Sequence, residues 1–176
     1  MDKRQYIIKF AGLSVGTHEF EFNVDDKFFE QFPESEVQKA NLKVVVTLLK
    51  QNNVMQMSFK IKGTVQLDCD RCVKAFNYPI EAEDNLVIKF GDPDESTDEI
   101  LVITEGESEA DISHYLYEYI MVSLPARRVG CEIDENFECD YETLKKLEEN
   151  SVSEEAKEET NPIWEKLSKL KKHNKN

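Results

Sequence analysis

The 176-residue sequence predicts an α+β domain, with a curved, mainly antiparallel sheet, a partly open barrel as its more closed form, packed by one main helix and trailed by a flexible C-terminal tail. Three observations carry that prediction. Apolar and polar residues alternate through most of the first ninety positions, the period of half-buried strands. A single stretch, Ile112 to Leu124, switches to helical spacing. Beyond Leu147 the chain becomes an acidic run with almost nothing apolar, and then a short basic segment. The implied organisation is a domain over residues 1–147, a linker over 148–160 and a C-terminal motif over 161–176.

Phe20, Phe22 and Val24 alternate with Glu19, Glu21 and Asn23, so the first strand has one greasy and one charged face. Phe28, Phe29 and Phe32 do not alternate; before Pro33 they read as a helical turn covering a sheet edge or barrel mouth. Leu42 to Leu48 and Met55 to Leu67 form two long strands, joined by the turn-tolerant Gln51-Asn52-Asn53. Gly63 interrupts the second with a bulge or bend. Cys69 continues that strand's phase, Asp70-Arg71-Cys72 make a tight loop, and Phe76, Tyr78 and Ile80 return. Leu86, Ile88 and Phe90 read as a further strand, ended by Gly91-Asp92-Pro93, and Ile100 to Ile103 as a short buried one. Asp111 charges the start of the helix and Pro125 stops it. Residues 127–140 read as irregular and Tyr141 to Leu147 as a short helix. No internal repeat is present.

Composition excludes several functions. No apolar run approaches the roughly 18 to 20 residues of a spanning helix, and the N-terminus lacks the apolar core of a secretory signal, so the expectation is a cytoplasmic protein without membrane contact. In that compartment the four cysteines are thiols or metal ligands rather than disulfides. The net charge is −14, which weighs against a protein that coats nucleic acid by counterion release. Its distribution is uneven. From Asp92 to Glu118 there are ten acids and no Lys or Arg, whereas basic groups gather at Arg71/Lys74, at Arg127/Arg128 and from Lys166 to Lys175.

Cys69-x-x-Cys72 is the sharpest motif, because two thiolates in a tight loop can face one tetrahedral zinc. Cys131 and Cys139 are the candidate second pair, but seven residues separate them and fifty-eight separate Cys72 from Cys131, unlike a compact knuckle. The alternative is a buried apolar Cys69 with three idle thiols. Redox chemistry is disfavoured: the pair joins two strands instead of opening a helix, and Asp70 opposes a thiolate. Arg71 can clamp a phosphate or carboxylate with paired donors, or simply pair with Asp68 or Asp70. His18, His114 and His173 are scattered, no glycine-rich phosphate loop exists, and Glu105-x-Glu107-x-Glu109 reads as a solvated face, so neither catalysis nor a small-molecule substrate is expected. Pro162, Trp164 and Lys166, within a lysine-rich tail, form either a recognition motif for an anionic partner or a segment that docks on its own domain.

The order Cys69-Asp70-Arg71-Cys72 after a long strand, an acidic stretch, a helix with Asp111-Ile112-Ser113 at its start and Ser123-Leu124-Pro125 at its end, and Asn161-Pro162-Ile163-Trp164-x-x-Leu167 resembles the YceD family, the large ribosomal RNA subunit accumulation proteins. The likeness spans roughly Leu42 to Lys172. It implies a cytoplasmic, non-catalytic factor that supports 23S ribosomal RNA accumulation and large-subunit biogenesis, by binding ribosomal RNA or a basic ribosomal or assembly protein. It transfers that role to Cys69, Arg71 and Cys72 and to Pro162 and Trp164; Arg127, Arg128 and Cys139 are similar to one branch. Many relatives carry a compact second cysteine cluster after the Leu-Pro, from which Cys131 and Cys139 depart. The rival reading is a small zinc-binding or protein-interaction adaptor unrelated to ribosomes.

Overall fold

In the computed structural model, residues 5–52 and 54–151 are described. Most of the predicted linker and all of the C-terminal motif, with Pro162, Trp164 and Lys166, lie outside them, as does Asn53 of the predicted turn. The chain divides into two units, Met1–Cys139 and Asp140–Asn176.

The first unit is mixed α+β. Five strands form one open sheet in the order β2 (Gly16–Asp25), β3 (Ala40–Lys50), β4 (Met55–Asp68), β5 (Ala75–Phe90), β6 (Ile100–Ile103). The first three pairings are antiparallel and the last is parallel. Leu42, Val44, Val46 and Leu48 of β3 are buried, as are Met55, Met57, Phe59 and Ile61 of β4. On the opposite face Lys43 pairs with Glu21 at 2.9 Å, Lys60 with Glu83 at 3.2 Å and Lys62 with Glu81 at 3.3 Å, so cross-strand ion pairs keep that side in water.

Helix α2 (Ser113–Val122) buries Tyr115, Leu116, Tyr119 and Ile120. The Tyr119 ring meets Phe59 edge-on at 5.2 Å, and its hydroxyl reaches the Asn85 carbonyl at 3.3 Å. Asp111 acts as expected at the helix start, its carboxylate accepting the Ser113 N–H at 2.9 Å and hydroxyl at 2.6 Å. The aromatic run forms a short helix, α1 (Asp26–Phe29), with Phe28 and Phe29 buried and Phe32 stacked on Tyr117 at 4.0 Å.

Three sequence expectations change, and one pair of strands carries no sequence signal. The residues read as two strands, Phe76 to Ile80 and Leu86 to Phe90, are one continuous β5; the break in pattern at Ala82 and Asp84 falls opposite Ile61 and Phe59, where Tyr119 supplies the bulk. Phe90, at its end, is exposed. Gly63 makes no bulge, since the register Leu42↔Gly63 runs on unbroken; it takes φ +150° within the strand. A separate two-stranded pair, β1 (Ile7–Lys9) with β7 (Glu109–Asp111), buries Ile8 and Ala110 and is too short to show a period. The stretch read as irregular contains α3 (Gly130–Ile133).

In the second unit α4 (Tyr141–Asn150) is capped by Asp140, whose carboxylate accepts from Glu142 N–H at 3.2 Å and the Thr143 hydroxyl at 2.6 Å. The Thr143 bond, chiefly, lowers the Asp140 pKa. No helix among the described residues is long and apolar enough to cross a membrane.

Candidate metal centre

The hairpin between β4 and β5 closes over residues 69–74, which places both sulfurs of the Cys-x-x-Cys motif at its tip. The tip is tightly folded: the Cys69 carbonyl accepts the Val73 N–H at 2.8 Å, and the Cys69 N–H reaches the Lys74 carbonyl at 3.1 Å. Val73 takes φ +60°, a left-handed conformation that a β-branched residue adopts only when its surroundings impose it. Both cysteines are buried.

The distant cysteines reach this tip through the segment after α2. Asp70 stitches the two together: its N–H donates to the Arg128 carbonyl at 2.8 Å, and its carboxylate accepts the Arg128 N–H at 2.6 Å. The next residues follow suit, with the Gly130 N–H 3.4 Å from Cys69 Sγ. Phe137 then folds the loop back. Its ring lies against Gly130, where a Cβ would come within 2.6 Å of a ring carbon, and packs on Phe76 at 5.6 Å. The Lys74 ammonium sits 5.0 Å over the same ring and donates to the Glu138 carbonyl at 2.8 Å.

The result is a cluster in which Cys69, Cys72 and Cys139 hold their sulfurs within 4.8 Å of one another. Cys131, exposed on α3, lies against Cys139 but outside that set of three. A zinc–sulfur bond of about 2.3 Å sets sulfur separations of about 3.8 Å in a tetrahedron, so the cluster fits a zinc-sized ion with little adjustment. The thiols differ in acidity. Burial opposes ionisation of Cys69, yet the N–H groups of Gly130, Arg71 and Cys72, with the Cys72 side chain, bring it down to about 7. Desolvation pushes Cys139 up to about 12, helped by Cys131 and Cys72. Donors aimed at one sulfur and thiols crowded against another are what a bound cation would reconcile.

The arginines separate. Arg71 is exposed at the tip and its side chain has no hydrogen-bond or ion-pair partner among the described residues; Asp70, one of its candidate partners, is turned to Arg128 instead. Arg127 pairs with Glu132 at 2.8 Å and stays exposed. The half-buried Arg128 guanidinium binds Glu36 and reaches the Pro125 carbonyl at 3.4 Å. Sequence reasoning missed Phe137 and Gly130, whose only signal was an aromatic residue inside an otherwise acidic loop.

The family model described as "Large ribosomal RNA subunit accumulation protein YceD" matches residues 57–171, a span that includes β5, the metal-ligand candidates and α2. No curated protein and no solved structure matches the chain.

Proposed function

The chain belongs to the YceD family, and on that premise we propose that it is a non-catalytic binding factor for large-subunit ribosomal RNA accumulation, working in the cytoplasm through a metal-stapled loop that presents Arg71. Cys69, Cys72 and Cys139 hold the ion, zinc by its fit to thiolates, and Cys131 completes the set of four. The ion is structural: it would lock the β4–β5 tip to the segment from Arg128 to Cys139, which otherwise meet through a few hydrogen bonds and the packing of Phe137. Arg71 then offers a phosphate or carboxylate a guanidinium on a stiff support, while Arg128 holds the support in place. Arg127, beside it, is exposed and only surface-paired, and adds to the same contact. Residues 161–176, with Pro162, Trp164 and Lys166, supply a second contact.

The observation that supports the binding mode is an exposed Arg71, without a side-chain partner among the described residues, in the loop between two of the three clustered cysteines. A net charge of −14 favours a basic ribosomal or assembly protein as the partner over extensive direct contact with RNA. The test joins metal analysis to sedimentation. Purified wild type should carry one zinc per chain after dialysis, Cys139→Ser and Cys69→Ser/Cys72→Ser none, and Arg71→Ala a full complement. In lysates at low salt, wild type should sediment with large-subunit precursors and Arg71→Ala should not. A metal-loaded protein absent from every ribosomal fraction would favour the adaptor reading that the thiol cluster also supports.

A further inference from the structure

A second surface lies away from the cysteines, where β5 and α2 frame a groove of about 770 Å³. Glu83, Asp84, Asp98, Glu99 and Glu118 line it, and no basic residue does. Lys60 neutralises Glu83 at 3.2 Å, and His114 sits 3.1 Å from Glu118. Asp84, Asp98 and Glu99 have no cationic partner among the described residues, and burial raises the Asp84 pKa. The groove also has an apolar floor: Tyr119, Met121, Val87 and Val122, the last 84% exposed at the end of α2. A carboxylate rim alone would be a solvated face; a rim over uncovered apolar surface in a concave site asks for a ligand with both characters.

Backbone geometry narrows the ligand. β5 pairs with β6 only from Val87 to Phe90, so at Glu83 to Leu86 no strand flanks it on that side among the described residues, although the Tyr119 hydroxyl donates to the Asn85 carbonyl. An unpaired strand edge beside a groove accommodates an extended chain better than a compact metabolite.

We propose that this groove docks an extended protein segment rich in lysine and arginine that carries one large apolar side chain, with the cations over Asp84, Asp98 and Glu99 and the apolar group over Val122 and Met121. The assignment names the partner class for the binding role above, and rests on that reading only for where such a partner is met in the cell.

The probe is a fluorescein-labelled synthetic peptide of lysine and arginine residues around a single tryptophan, titrated with the full chain at low salt and followed by fluorescence anisotropy. Asp98→Asn/Glu99→Gln, on an exposed loop, should weaken binding about tenfold. Val122→Ser should weaken it about threefold for this peptide and not at all for its Trp→Ser counterpart. Equal affinity of wild type and both variants, or indifference to the tryptophan, would overturn the proposal. So would binding seen only after Lys166→Glu/Lys169→Glu/Lys171→Glu, because the groove would then serve the chain's own tail. Loss of peptide binding in the variants without any sedimentation of the wild type on ribosomal particles would keep the groove and remove the ribosomal role; the converse would remove the groove alone.

Discussion

Two residues of the first unit are held in ways that make their substitution informative. Gly63 sits at φ +150° with the backbone of Asn41 and Leu42 across the β3–β4 ladder; a Cβ would run into the Asn41 carbonyl oxygen and come 2.9 Å from Leu42 Cα. Gly63→Ala therefore meets both strain and a backbone clash, and should lower the unfolding free energy by about 2 kcal/mol or more, read from the urea midpoint. Tyr6 is buried with its hydroxyl on the Asn23 carbonyl at 2.9 Å; burial first, and the charge of Asp25 second, push its pKa from 10.0 to about 12. A raised pKa contributes stability that is complete below pH 10 and lost as pH climbs through 12. Alkaline titration of the melting temperature should show that loss, and Tyr6→Phe should flatten it in part, because burial also raises Tyr115 and Tyr119. At this scale the Cys-x-x-Cys hook is legible in the sequence, whereas Arg71 reads equally as a free clamp or as a partner of Asp68 or Asp70. The sequence could not disclose which arginine would be engaged, since Arg71 and Arg128 differ only in what lies beside them in space: no side-chain partner among the described residues for one, Glu36 from ninety-two residues away for the other.

Among the elements, those long enough to repeat a period were readable and those built by tertiary company were not. Strands β3 and β4 alternate over eleven and fourteen residues and fell where expected, as did α2 with its Asp111 start. Strand β5 looked like two because Ala82 and Asp84 lack the bulk that Tyr119 brings from another element. The three-residue strands β1 and β7 carry no pattern of their own, and their pairing appears only when Ile8 and Ala110 meet. The loop that brings Cys139 to the cluster is the same case. A seven-residue gap between Cys131 and Cys139 looks too loose for one ion until Phe137 is placed inside it as a plug against Gly130 and Phe76. If the proposed zinc is bound, Phe137→Ala should leave one per chain, because all four thiols remain, yet speed its transfer to a chelator, because the loop carrying Cys139 loses its anchor. Chelator kinetics with wild-type rates for this variant would mean that the sulfurs, with the hydrogen bonds at Asp70 and Arg128, hold the loop unaided.

For the whole chain, charge sets the terms of stability. Ten acids without a compensating base occupy Asp92 to Glu118, so most of the net −14 is concentrated in one stretch of the first unit. Acting against that repulsion are the exposed ion pairs of the sheet's outer face, Lys43–Glu21, Lys60–Glu83 and Lys62–Glu81. Salt weakens both, and their magnitudes decide the outcome. Exposed pairs contribute about 0 to 1 kcal/mol each and often nothing measurable, whereas like charges crowded within a Debye length of about 8 to 10 Å repel one another collectively. Adding sodium chloride at neutral pH should therefore raise the melting temperature at first, as the acidic stretch is screened. Calorimetry across a salt series reads this directly, and Asp98→Asn/Glu99→Gln should reduce the rise, since two of the repelling groups are gone. A melting temperature that falls from the first addition of salt would assign the electrostatic stability to the cross-strand pairs instead, and would leave the acidic stretch without an energetic cost for a basic partner to relieve.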